Sequence, residues 1–152
     1  MTAAPRLPTM EGVTASLDPQ LPAADRPSPF GRQVMAELMG CDGAILADHA
    51  AVERLMNEAA LAAGATIVQS AFHTFNPYGV SGVVIIAESH LAIHTWPEHG
   101  YAAIDVFTCG DAVDPRSAVD ALVISLKATE SRVTSVRRGP DGGTPCASSP
   151  SP

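Results

Sequence analysis

The chain has 152 residues, enough for one domain with a real core and too few for two comfortable ones. Sixteen acidic against nine basic residues leave it at −7, which argues against a nucleic-acid partner or an anionic membrane, since both call for a basic face. Hydrophobic residues make up 46 % but never run for 18 in a row, and the N-terminus lacks the charged-then-apolar build of a signal peptide, so the expectation is a cytoplasmic protein.

Residues 1–30 hold six of the 13 prolines and no apolar periodicity, which reads as a disordered Pro-rich arm. A first strand is expected over 33–38. Asp48 then N-caps a helix in which Val52, Leu55, Met56, Ala59 and Ala63 recur at helical spacing until Gly64 stops it. Residues 66–75 alternate and are rich in β-branched and aromatic side chains, so they read as a strand. Asn76-Pro77-Tyr78-Gly79 is a turn, and strands follow over 81–87, 90–95 and 101–108. Asp114-Pro115 opens a second helix with Val119, Leu122, Val123 and Leu126 on one face, and 132–137 is the last strand. Residues 139–152, GPDGGTPCASSPSP, read as a low-complexity tail. The folded unit is 31–138, and its order β-α-β-β-β-β-α-β predicts an α+β two-layer sandwich, a mostly antiparallel sheet with both helices on one face.

The reactive chemistry is concentrated in residues 88–99, ESHLAIHTWPEH, which hold three of the five His, Glu88, Ser89, Glu98 and the one Trp. His90 and His94 have a spacing that converges on a metal only on a helix. The flanks are strand-like and Pro97 blocks a helix, so the two rings stand roughly 13 Å apart along a strand. A zinc site would also need His73, Glu98, His99 or Cys109 to fold in. A Ser-His-Asp hydrolase fares no better, because Ser89 is not in a G-x-S-x-G elbow and nothing specifies Asp105 as its partner. Cys41, Cys109 and Cys146 are too few and too scattered for a disulfide framework. The one lysine, Lys127, sits in a surface-helix pattern and is a poor anchor for pyridoxal phosphate. His49, Cys41 and Cys146 read as ordinary structural residues.

Residues 81–110, SGVVIIAESHLAIHTWPEHGYAAIDVFTCG, resemble the signature of the prokaryotic S-adenosylmethionine decarboxylase proenzymes, the pyruvoyl-dependent kind. The likeness extends over 31–138, through GRQVMAELMGCD, GATIV, FHTFNPYGVSG and DAVDP. It implies that Ser89 attacks the Glu88 carbonyl and cuts the chain into a β chain, 1–88, and an α chain, 89–152. Ser89 is left as a covalent pyruvoyl group, with which the substrate amine forms a Schiff base. The resemblance makes His94 the proton acceptor in processing, Ser81 a supporting processing residue and Cys109 the proton donor in catalysis. Phe75 and Trp96, with Glu98 and Tyr78 behind them, become the candidates for binding substrate.

The implied reaction is decarboxylation of S-adenosyl-L-methionine to the aminopropyl donor of spermidine synthesis, in a homodimer of αβ units. Thr74 stands where relatives often carry Lys or Arg, and the same machinery would serve ornithine or arginine, which is the alternative. A non-enzymatic regulatory paralogue would lack a processing residue, and none is lacking. One geometric conflict comes with this reading. Ser89 and His94 are five apart, so on a regular strand they face opposite sides. The chain must bend at 88–89, carry a bulge, or receive the His from a neighbouring part of the fold.

Overall fold

The computed structural model describes residues 30–87, 89–109, 111–139 and 145–146. Its strands are β1 (Gly31–Met39), β2 (Ile67–Thr74), β3 (Val80–Ile86), β4 (Ser89–Trp96), β5 (Tyr101–Thr108), β6 (Glu130–Arg138) and β7 (Pro145–Cys146). They form one sheet in the order β2-β3-β4-β5-β1-β6-β7, with every neighbouring pair antiparallel. Three helices, α1 (Gly43–Ala47), α2 (His49–Ala62) and α3 (Pro115–Ser125), complete the α+β sandwich.

Period-two alternation assigns the two sheet faces. Val34, Ala36 and Leu38 of β1, Leu91 and Ile93 of β4, and Ala102, Ile104 and Val106 of β5 are buried in one core with Val52, Met56, Ala118 and Leu122 of the helices. Helix starts follow their caps: the Asp48 carboxylate accepts from the Ala50 and Ala51 N–H groups, and Asp114 accepts from Arg116 N–H with Pro115 in the first turn. Gly64, at φ +82°, ends α2 in the left-handed region as its sequence position requires.

The expected elements are present, with two additions. Helix α1, for which no element was expected, is only five residues long and opens on Asp42, whose side chain accepts from Ala44 N–H. In the expected tail, β7 pairs with β6 through Ser135–Cys146 and Val136–Pro145. The expected arm, apart from Phe30, lies outside the described residues. None of the described helices is long and apolar enough to cross a membrane.

Candidate active site

The helix-free face of the sheet carries the first group of chemical residues. Register sets Ser81 of β3 opposite both His73 of β2 and His94 of β4. The Ser81 hydroxyl and His94 Nδ1 lie 2.6 Å apart, a direct hydrogen bond on an exposed surface. An open cavity of about 430 Å³ lies over His73, Ser81, Gly82 and His94. Aromatic rings border this group. Phe75 meets His73 edge-on at 4.8 Å, while Trp96 lies 6.4 Å from His94 and 5.2 Å from Tyr101.

Phe75 and Tyr78 belong to the β2–β3 loop, which is seated against the end of β4 by Gly79. At φ +98°, with a hypothetical Cβ 2.6 Å from the Thr95 carbonyl oxygen, that position accepts only glycine. Phe75 and Tyr78 are 51 % and 63 % exposed and Trp96 39 %, so all three have ring surface to offer a ligand. Glu98 follows in the short 3-10 turn Pro97–His99. Tyr101 donates a hydrogen bond to the Glu37 carboxylate, which pushes the phenol up to about 12.

The second group sits at the opposite end of β4. Ser89 is its first residue and pairs with Ile86 on one side and Thr108 on the other. Only two residues separate β3 from β4, so Ser89 opens the second strand of a tight hairpin. Ser89 is half-buried, and its hydroxyl lies 3.5 Å from His90 Nδ1, at the limit of a hydrogen bond. Thr108 is 1 % exposed and its Oγ1 has no hydrogen-bond partner. Cys109, a free half-buried thiol, follows directly.

The structure therefore places Cys109 one residue from the strand partner of Ser89 and bonds Ser81 to His94, but separates the two groups. Strand β4 runs from Ser89 to Trp96 with unbroken pairing to both neighbours, so no bulge turns His94 toward Ser89. From Ser89 onward, five strand steps leave His94 roughly 16 Å away on the other face. Thr108 carried no signal of its own in sequence, and His73 entered only as a possible extra zinc ligand. Thr108 ends the apolar series Ala102, Ile104, Val106 on the core side, where a valine would have continued the pattern.

Residues 32–139 match the family model described as S-adenosylmethionine decarboxylase, which is the folded unit almost to the residue. The chain belongs to the S-adenosylmethionine decarboxylase family. It is 56 % identical over 110 residues to the S-adenosylmethionine decarboxylase proenzyme of Acetivibrio thermocellus, covering 72 % of this chain and 89 % of that one. Identity to the proenzyme of Caldicellulosiruptor saccharolyticus is 55 % over the same shares. Among solved structures, the crystal structure of the adenosylmethionine decarboxylase from Aquifex aeolicus superposes with a TM-score of 0.70 at 34 % identity, covering 74 % of this chain and 93 % of that one. The folded unit thus shares its fold with a solved decarboxylase.

Proposed function

We propose that Ser89, His94, Ser81 and Cys109 are the working residues of this family member, and that Glu88–Ser89 is the bond it cuts in itself. The chain is a pyruvoyl-dependent decarboxylase made as a proenzyme, in the branch that provides for spermidine synthesis. Its substrate is S-adenosyl-L-methionine. The observation that carries the residue assignment is the position of Ser89 at the hairpin connection. Both strands of that hairpin stay held after a cut, β3 by β2 and β4 by β5, with Val84, Ile86, Leu91 and Ile93 in the shared core. Breaking the connection therefore frees a new chain end without dismantling the sheet.

In the first step the Ser89 hydroxyl attacks the Glu88 carbonyl carbon and the peptide C–N bond breaks. The proton passes to the new amine and an ester remains. A base then removes the Ser89 Cα proton, the Cβ–Oγ bond breaks, and Glu88 leaves as a carboxylate. Tautomerisation and water release ammonia and leave the pyruvoyl group. The residues fit that group: Ser89 is half-buried beside an unpartnered buried hydroxyl, and the one lysine is paired with Asp42 at 2.9 Å, not held in a pocket. Once formed, it supplies the electron sink for the pair released with CO2. Cys109, one residue from the Ser89 partner Thr108, holds the proton that the substrate carbon takes up. Phe75 and Trp96 offer ring faces to the cationic sulfonium and adenine, with Tyr78 and Glu98 at their edge. A cytoplasmic location keeps the Cys109 thiol reduced.

The base for elimination is His94, oriented by its bond to Ser81. Because it is remote from Ser89 in its own chain, we place it in a second copy. A homodimer that sets the end of β4 in one copy against the open sheet face of the other brings the Ser81–His94 pair of one copy to Ser89 of its partner. Intact-mass spectrometry of the purified chain is expected to show two fragments, the C-terminal one without a free α-amine, and Ser89→Ala is expected to give one uncut chain. CO2 release from S-adenosylmethionine, with none from ornithine or arginine, is the expected activity. An uncut wild-type chain, or release from a basic amino acid alone, would overturn the reading.

A further inference from the structure

Two polar side chains lie buried among the described residues, Thr95 and Thr108. Thr95 is fully used: its hydroxyl accepts from Val80 N–H at 2.8 Å and donates to the Leu46 carbonyl at 2.9 Å. Thr108 is 1 % exposed and its hydroxyl has neither bond. A buried hydroxyl left unpaired is destabilising, and a valine would give the same branched shape in a strand without that cost. Such a group in a native structure calls for an explanation, and a part in the protein's chemistry is one.

Register supplies the use. Thr108 is directly opposite Ser89, so their side chains rise from the same face of the sheet with Cβ atoms roughly 5 Å apart. The Ser89 hydroxyl is turned to His90 Nδ1 at only 3.5 Å, a contact weak enough to release by one rotamer change.

We propose that Thr108 is a positioning residue for self-cleavage, acting on the oxygen of Ser89. Before the attack the Thr108 oxygen accepts the hydrogen bond from Ser89 O–H, which fixes the rotamer that aims a lone pair at the Glu88 carbonyl carbon. After the acyl shift the same hydroxyl donates to the ester oxygen that came from Ser89, the one that departs with Glu88 on elimination. A threonine hydroxyl can do both because it is donor and acceptor at once. No bond of Thr108 is made or broken.

The inference rests on Ser89 being the cut residue, and the test separates the two. Wild type, Thr108→Val and Thr108→Ser are followed by intact mass as cleavage proceeds, with melting temperatures measured alongside. Thr108→Val keeps the shape and is expected to melt no lower than wild type, yet to cut about tenfold more slowly, the worth of one hydrogen bond lost from the reactive arrangement. Thr108→Ser loses a buried methyl and is expected to melt lower, yet to cut within a few-fold of wild type. A purely structural threonine predicts the reverse order, valine ahead of serine. Valine cutting at the wild-type rate, or serine as slow as valine, would sink the proposal and leave the Ser89 assignment standing. A wild-type chain that is never cut would remove both.

Discussion

The two ends of β4 are built from similar residues and serve different ends. At the Trp96 end, Thr95 ties β3, β4 and α1 together through two hydrogen bonds, and on the opposite, open face Trp96 stands beside His94 and Tyr101. At the Ser89 end, Thr108 makes no side-chain bond, Ser89 has only a 3.5 Å contact, and Cys109 is free. One end spends its polar groups on stability in the ground state. The other leaves them unspent at the end where the proposed cut would change charge and bonds, the arrangement expected of groups that act in a transition state.

Chain mixing puts the largest effect on this contrast. Neither Ser89→Ala nor His94→Ala is expected to cut itself as a pure protein. Co-expressed in equal amounts, roughly half of the His94→Ala chains are expected to pair with a Ser89→Ala chain in the proposed two-fold dimer. Those mixed dimers hold one site with both groups intact, so roughly that share of His94→Ala chains is expected to appear cut by intact mass. No cleavage in the mixture would mean that each chain completes its own site, and the separation of the two ends would then have to close within one copy.

A smaller effect is expected at the stability end. Thr95→Val keeps the shape but leaves the Val80 N–H and the Leu46 carbonyl buried without partners. The expected cost is about 1–3 kcal/mol, read as a lower denaturant midpoint with unchanged slope. Thr108→Val, at the other end, removes an unpaired group and is expected to cost nothing. Equal losses in the two variants would show that the ends do not differ.

Much of this was legible in the chain. Strand periods, the Asp48 and Asp114 caps and the Gly64 stop are local signals, and the core positions of α2 and α3 follow from helical spacing; the 81–110 signature pointed to the family. The division of the site was not, because it depends on register. Alternation places Ser89 and His94 on opposite faces but cannot say whether a bulge corrects it, and only the unbroken β4 ladder shows that none does. Thr108 was hidden for a related reason. Its lack of a partner is a property of three strands at once, since it pairs with Arg32 as well as Ser89.

The smallest effect belongs to Tyr101, which anchors the aromatic end. Its hydroxyl donates to the Glu37 carboxylate, and ionising the phenol would set two negative charges against each other, so its pKa rises from 10.0 to about 12. A folded pKa above the unfolded one means the stabilisation is fully present below pH 10 and is lost as pH rises through about 12. With Tyr78→Phe the chain retains Tyr101 as its one tyrosine, and the ultraviolet absorbance of the phenolate reports it directly. Adding Glu37→Gln is expected to return the titration toward the ordinary value and to flatten the loss of melting temperature across that window. Because the Tyr101 ring lies 5.2 Å from Trp96, the same change is expected to loosen the tryptophan, read as a small shift in its fluorescence. Unchanged titration would show that the Glu37 bond does not hold Tyr101, and that the aromatic end is fixed by ring packing alone.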